Sequence, residues 1–208
     1  MKIPIENVYF LLLYAWDHFE AGEEVDVNVA GMTRLQDLFG HVLAGGCKRL
    51  LARGLDRDYV PVEEAVGGVR GKIDLSATLG QALLVQARTH CRFDELSHDV
   101  PQNQILKATL GNLLLLDDLD DRARASVRKI YHRFEGVTEI QLNRGHFRLV
   151  RIHRNNRIYA FLLKLCLLIH DNLMIDQASG QARLPAFRDD EVPMWKGFED
   201  FVRNFFHR

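Results

Sequence analysis

The seven lysines of this chain are few enough to test one by one for metal-assisted hydrolysis of a phosphodiester. Many DNA-cutting enzymes set an Asp and then an Asp/Glu-x-Lys triplet on adjacent strands, where the carboxylates hold magnesium and the Lys assists the attacking water. Two residues before Lys48, Lys72, Lys107, Lys129, Lys164 and Lys196 stand Gly46, Arg70, Ile105, Val127, Leu162 and Met194, so none of them follows an acid. The acidic trio Asp189-Asp190-Glu191 reads as matching the positive end of a helix. The string Gly67-Gly68-Val69-Arg70-Gly71-Lys72-Ile73 resembles the end of a phosphate loop. That loop needs Gly where Val66 stands and Ser or Thr where Ile73 stands. The four serines (Ser76, Ser97, Ser126, Ser179) lie outside any Gly-x-Ser-x-Gly elbow. His90, Cys91, Asp94 and His98 offer N, S and O donors, but at a spacing that fits no zinc pattern. The residues alone therefore give no catalytic centre, no metal site and no cofactor site.

The elements that would carry these residues read as α+β: a mainly helical body with a small β-rich insert. Val8, Leu11, Leu12, Ala15, Trp16 and Phe19 recur at helical spacing, which predicts a first helix over 5–20. A second is predicted over 33–53, with Thr33 as N-cap and Gly54 at the stop, despite the Gly45-Gly46 pair inside it. From Arg57 to Asp99 the period changes to that of strands. Segments 59–62, 69–75 and 83–93 read as extended, and Gly67-Gly68 reads as a hairpin turn joining the first two, so a hairpin is expected at about 57–75 and further strands to about 99. Helices follow over 102–116 and 120–134, the latter opened by Asp120-Asp121 and closed by Gly136. A short β pair is expected over 137–142 and 146–152, then apolar helices over 156–174 and 189–208. The implied division is 1–56, 57–99 and 100–208. The last helix stops in mid-pattern at Phe-Phe-His-Arg, so the chain reads as cut there rather than finished.

The chain of 208 residues is 47% hydrophobic and 26% charged, ordinary values that exclude disordered, collagen-like and low-complexity classes. The longest mostly apolar stretch, 161–169, is too short for a bilayer span of roughly 18 residues or more. No signal peptide is legible at the N-terminus, and Cys47, Cys91 and Cys166 form no Cys-x-x-Cys pair; a cytoplasmic protein with reduced thiols is expected. The net charge of −1 hides a strongly basic stretch from Arg122 to Arg157, in which Glu135 and Glu139 are the only acids. Arginine suits bidentate recognition of phosphate or carboxylate. Either nucleic acid or an acidic protein fits this stretch, with Arg151, Arg154 and Arg157 as candidate phosphate contacts; a helix merely solvating its charged face fits it too.

Several strings resemble one family. Ile3-Pro4-Ile5-Glu6-Asn7-Val8-Tyr9 running into Leu13-Tyr14-Ala15-Trp16 is similar to the start of McrC, a subunit of the McrBC 5-methylcytosine-dependent restriction system. The similarity continues through Arg53-Gly54-Leu55 with Asp58-Tyr59, Arg70-Gly71-Lys72-Ile73-Asp74, and Phe93-Asp94-Glu95-Leu96 with Asp99. It goes on through Asn103-Gln104-Ile105-Leu106-Lys107-Ala108-Thr109-Leu110, Arg154-Asn155-Asn156-Arg157-Ile158-Tyr159 and Phe198-Glu199-Asp200-Phe201-Val202-Arg203-Asn204-Phe205. The resemblance covers essentially the whole chain.

The resemblance implies a part that engages a McrB-like GTPase ring and stimulates GTP hydrolysis. Family members carry a magnesium-dependent PD-(D/E)xK nuclease in their C-terminal region, and this chain stops where that region would begin. Magnesium would belong to the missing nuclease region and GTP to the partner, leaving no cofactor in this chain. The expected probe is the β insert, with Gly67 and Gly68 at its turn and Arg70 and Lys72 beside it, meeting acidic groups of the partner. The simpler reading of Arg70 and Lys72 is that they keep an exposed strand soluble. The alternative function is a DNA-binding module that uses the basic 122–157 region.

Overall fold

Leu35, Leu38, Phe39, Val42, Leu43, Cys47 and Leu50 repeat at three- and four-residue intervals, and they form the buried stripe of helix α1, Leu35–Arg53. The computed structural model describes residues 34–151, 157–172, 174–175 and 182–183. The expected helices over 5–20 and 189–208 lie outside the described residues. The N-cap of α1 is Arg34, with no side-chain cap hydrogen bond, rather than Thr33. Gly54 closes the helix at φ 92°, a conformation that suits glycine. The helix runs unbroken through Gly45 and Gly46. At Gly40 an added Cβ would stand 3.4 Å from Val127 Cγ2 and 3.6 Å from Ala123 Cβ, so the helix surface there lies within contact distance of those side chains.

Asp56–Val100 is one compact unit, and the rest of the described chain is another. In the latter, α1 packs with α3 (Pro101–Leu114), α4 (Asp121–Tyr131) and α6 (Arg157–Asn172). Pro101 opens α3 without loss, since the first helical N–H has no intrahelical partner. Asp120 caps α4 as its sequence implies, accepting from Arg122 N at 2.9 Å. The shared core holds Phe39, Leu43, Ile105, Leu110, Val127, Phe134, Phe161 and Leu165. Inside it the Tyr159 hydroxyl donates to Asn103 Oδ1 at 2.6 Å, giving both buried polar groups a partner.

The expected β pair over 137–142 and 146–152 is not formed. Residues 137–143 are irregular and are followed by a short helix, α5, Arg144–Leu149. Asn143 decides this: its side chain accepts from the N–H of Gly145 and His146, and the His146 ring accepts from Asn143 N, a reciprocal cap that starts a helix. The Arg144 Nε–Asp171 Oδ1 pair at 2.8 Å ties α5 to α6. Two further short strands, β4 (Met174–Ile175) and β5 (Ala182–Arg183), pair antiparallel.

Within the Asp56–Val100 unit, strands β1 (Asp58–Gly67), β2 (Lys72–Ile73) and β3 (Arg88–Ser97) form an antiparallel sheet in the order β1-β3-β2. The α+β class and the β-rich insert therefore stand, whereas the hairpin across Gly67-Gly68 does not. β1 pairs with β3 along its whole length, from Asp58↔Ser97 to Gly67↔Arg88. The chain leaves β1 at Gly67, bends through Gly68 (φ 104°) and Gly71 (φ 66°), and joins the opposite edge of β3. A two-residue turn would have folded 69–75 back on β1. Instead, the Thr89 hydroxyl of β3 donates to the Gly68 carbonyl and the Arg70 N–H to Cys91 Sγ at 3.4 Å, so β3 captures the segment. After Ile73 the expected strand ends, because Asp74 accepts from Ala77 N at 3.0 Å and caps helix α2, Leu75–Gly80. A 3₁₀ turn, Leu83–Gln86, replaces the start of the expected strand 83–93.

Candidate partner-binding surface

Strand alternation assigns each functional side chain of the sheet unit to a face. On β3, Cys91, Phe93 and Glu95 share one face, and His90, Arg92 and Asp94 the other. Arg70 lies along the first. Its guanidinium carbon is 3.9 Å from the centroid of the Phe93 ring, and Nη2 is 3.8 Å from Glu95 Oε1. Lys72 stands opposite Arg92 in the ladder, so it occupies the second face. There Arg92 is held between Glu63 (3.1 Å) and Asp74 (3.0 Å), while Lys72 forms no ion pair among the described residues. Backbone hydrogen bonding from Ala77, followed by the nearby charge of Arg92, lowers the pKa of the Asp74 carboxyl. The structure thus places Arg70 and Lys72 on opposite faces, although an i, i+2 spacing in a regular strand would put them on one. Gly71 makes the difference: its left-handed φ breaks the alternation, and a Cβ there would stand 2.5 Å from the Arg92 carbonyl oxygen. Gly67 and Gly68 are exposed, with open space where a Cβ would be.

Sequence reasoning missed the apolar part of this surface. Of the nine large hydrophobic residues most exposed among those described, seven belong to this unit: Tyr59, Val69, Leu75, Leu79, Leu84, Val85 and Leu96. Seven large exposed apolar side chains on one small unit are candidates for contact with a partner. The uncharged run Leu75–Ala87, unusual for an exposed segment, was the available signal.

The basic 122–157 segment is less uniform than its sequence. The Arg124 guanidinium donates to the carbonyls of Leu114 (2.9 Å) and Leu116 (2.6 Å), so it caps the end of α3, and Arg144 is paired with Asp171. Arg122, Arg128, Lys129, Arg133, Arg148 and Arg151 are exposed. Arg154 lies outside the described residues; Arg157 opens α6, and its side chain is not described. His90 and Cys91 point to opposite faces of β3, and no group of three or more His, Cys, Asp or Glu side chains among the described residues is placed to hold a metal. No helix among the described residues is long and apolar enough to cross a membrane.

Comparison with known proteins places the chain. The model of the family described as McrBC 5-methylcytosine restriction system component matches residues 10–208. The type IV methyl-directed restriction enzyme EcoKMcrBC of Escherichia coli (strain K12) is 30% identical over 206 residues, covering 99% of this chain and 59% of the relative. A chain of the Thermococcus gammatolerans McrBC complex, solved by cryo-EM, superposes with a TM-score of 0.60 at 20% identity, covering 96% of this chain and 58% of that one. A chain from a half-complex of the tetradecameric assembly of T. gammatolerans McrB AAA+ hexamers with bound McrC gives 0.58 at 21%, covering 80% and 42%. At those identities the two structures speak for the fold. The chain spans about three-fifths of the length of the E. coli relative. On the family match and the E. coli relative together, this chain belongs to the McrBC 5-methylcytosine restriction system component family.

Proposed function

We propose that this chain is the motor-engaging, GTPase-activating part of a McrC-like subunit, working in the cytoplasm on a McrB-like GTPase ring and without a nuclease centre of its own. The observation that carries the reading is the sheet unit Asp56–Val100, which presents seven of the nine large exposed apolar residues among those described, together with Arg70 and Lys72. Fold similarity to chains of McrBC complexes, one of them with McrB hexamers and bound McrC, supports a ring as the partner. An element inserted among ring subunits is surrounded by them, so cations on opposite faces of one sheet both meet the partner. There they pair with carboxylates near the GTP sites and favour a hydrolysis-ready arrangement without touching the nucleotide. GTP belongs to the partner, and magnesium for cleavage to a nuclease region outside this chain.

The experiment is co-elution of the chain with its cognate GTPase in the presence of a non-hydrolysable GTP analogue. A stable complex is expected. Failure to associate, combined with salt-dependent binding to duplex DNA, would instead support the basic segment as a DNA-binding surface.

A further inference from the structure

The geometry points to the Leu84–Val85 turn, together with Leu75 and Leu79 of α2, as a docking knob for an apolar pocket with an acidic rim on a protein partner; the inference rests on the proposed function, in which that partner is a subunit of the GTPase ring.

Backbone strain is the first support. Ala82 (φ 52°) and Ala87 (φ 53°) bracket the 3₁₀ turn in the left-handed region, and they are the two non-glycine residues with positive φ among those described. Left-handed backbone is unfavourable for alanine because Cβ crowds the following carbonyl. Strain of this kind persists where surrounding structure enforces it and gathers at binding sites. Here it turns Leu83 inward, to 6% exposure, and Leu84 and Val85 outward, to 58% and 90%.

The support beneath the turn is firm. Thr78 of α2 is fully buried; its hydroxyl donates to the Asp74 carbonyl at 2.6 Å and accepts from His90 N of β3 at 2.9 Å. Leu75 and Leu79, four residues apart, form one exposed stripe on α2, and α2 packs against the turn.

Charge and size select the occupant. Leu75–Ala87 carries no charge, although exposed apolar surface on a free protein is ordinarily interrupted by Lys or Glu. Arg70, Lys72 and Arg88 flank the run in sequence, and Asp74, the acid beside it, is held by Arg92. A carboxylate-rimmed pocket complements these flanking cations. The four side chains expose on the order of 400 Å² of apolar surface, about half of what one partner contributes to a standard interface. That suits the dry centre of an interface completed by neighbouring surface, and it is too little for a dimer held by this patch alone.

The test is equilibrium binding of the full chain to the cognate GTPase, assembled with a non-hydrolysable GTP analogue, for wild type, Val85→Asp and Val85→Ile. Val85→Asp is expected to bind at least tenfold more weakly, because a carboxylate would lose its water in an apolar pocket. Val85→Ile is expected to stay within about twofold, with both variants melting at the wild-type temperature. Undiminished binding of Val85→Asp overturns this inference and leaves the proposed function standing. No binding by the wild type overturns both. Self-association of the wild type, abolished by Val85→Asp while motor binding is retained, gives the surface to a second copy and overturns the inference.

Discussion

The Arg70 guanidinium carbon stands 3.9 Å from the centroid of the Phe93 ring, and its Nη2 is 3.8 Å from Glu95 Oε1, so the side chain is laid along one face of β3. The ion pair is half exposed and contributes about 0–1 kcal/mol. Stacking on Phe93 restricts a long side chain, and under the proposed function that restriction reduces the entropy lost when Arg70 meets the GTPase. Lys72, on the other face, has no such support.

Among the glycines whose surroundings are described, Gly71 has the least room for a side chain. Its φ of 66° disfavours a Cβ, which would also stand 2.5 Å from the Arg92 carbonyl oxygen and 2.8 Å from Phe93 Cβ. Gly71→Ala is expected to destabilise the sheet unit by about 2 kcal/mol or more, seen in urea unfolding and in faster hydrogen exchange of β2 and β3 amides. Gly67→Ala, with nothing within 4 Å of the added atom, should change stability by about 0.5 kcal/mol or less.

Arg124 is expected to act as a structural cap. Arg124→Met leaves the carbonyls of Leu114 and Leu116 without their charged donor and should cost about 1.5–3 kcal/mol in urea unfolding. Arg128→Ala, on the exposed face of the same helix, should stay within about 0.5 kcal/mol.

The Tyr131 hydroxyl donates to Glu139 Oε2 at 2.6 Å. That hydrogen bond is the largest of the effects that push its pKa up to about 12. A folded-state pKa raised above the unfolded value means that the stabilisation is fully present below about pH 10 and is lost as pH rises toward 12. Tyrosinate absorbance, compared between wild type and Tyr131→Phe, should show one phenol titrating near pH 12, and the variant should lose the matching decline in stability.

What was legible in the sequence was local. Asp120 caps α4 and Gly54 ends α1 because both signals act within one helical turn. The sheet was misread where pairing is non-local: Gly67-Gly68 carries a turn signal, yet the partner of Val62 is Phe93 rather than a residue just past the turn. Asn143 and Asp74 carried helix-start signals that the apolar alternation around them masked. For the site, Arg70 and Lys72 stood out as cations beside glycines. Phe93 and Glu95, which hold Arg70, became visible only with the β3–β2 register, and Val85 only with the strained alanines that turn it outward.

GTP turnover of the cognate GTPase, measured with and without this chain, tests the activator role proposed above. Wild type is expected to stimulate turnover, and Arg70→Ala/Lys72→Ala, at limiting concentration, to stimulate at least tenfold less, since losing a charged contact in an interface costs about 2–5 kcal/mol. Undiminished stimulation by the double variant would remove these two residues from the mechanism. Unchanged turnover with the wild type, under conditions where the ring hydrolyses GTP on its own, would contradict the activator reading.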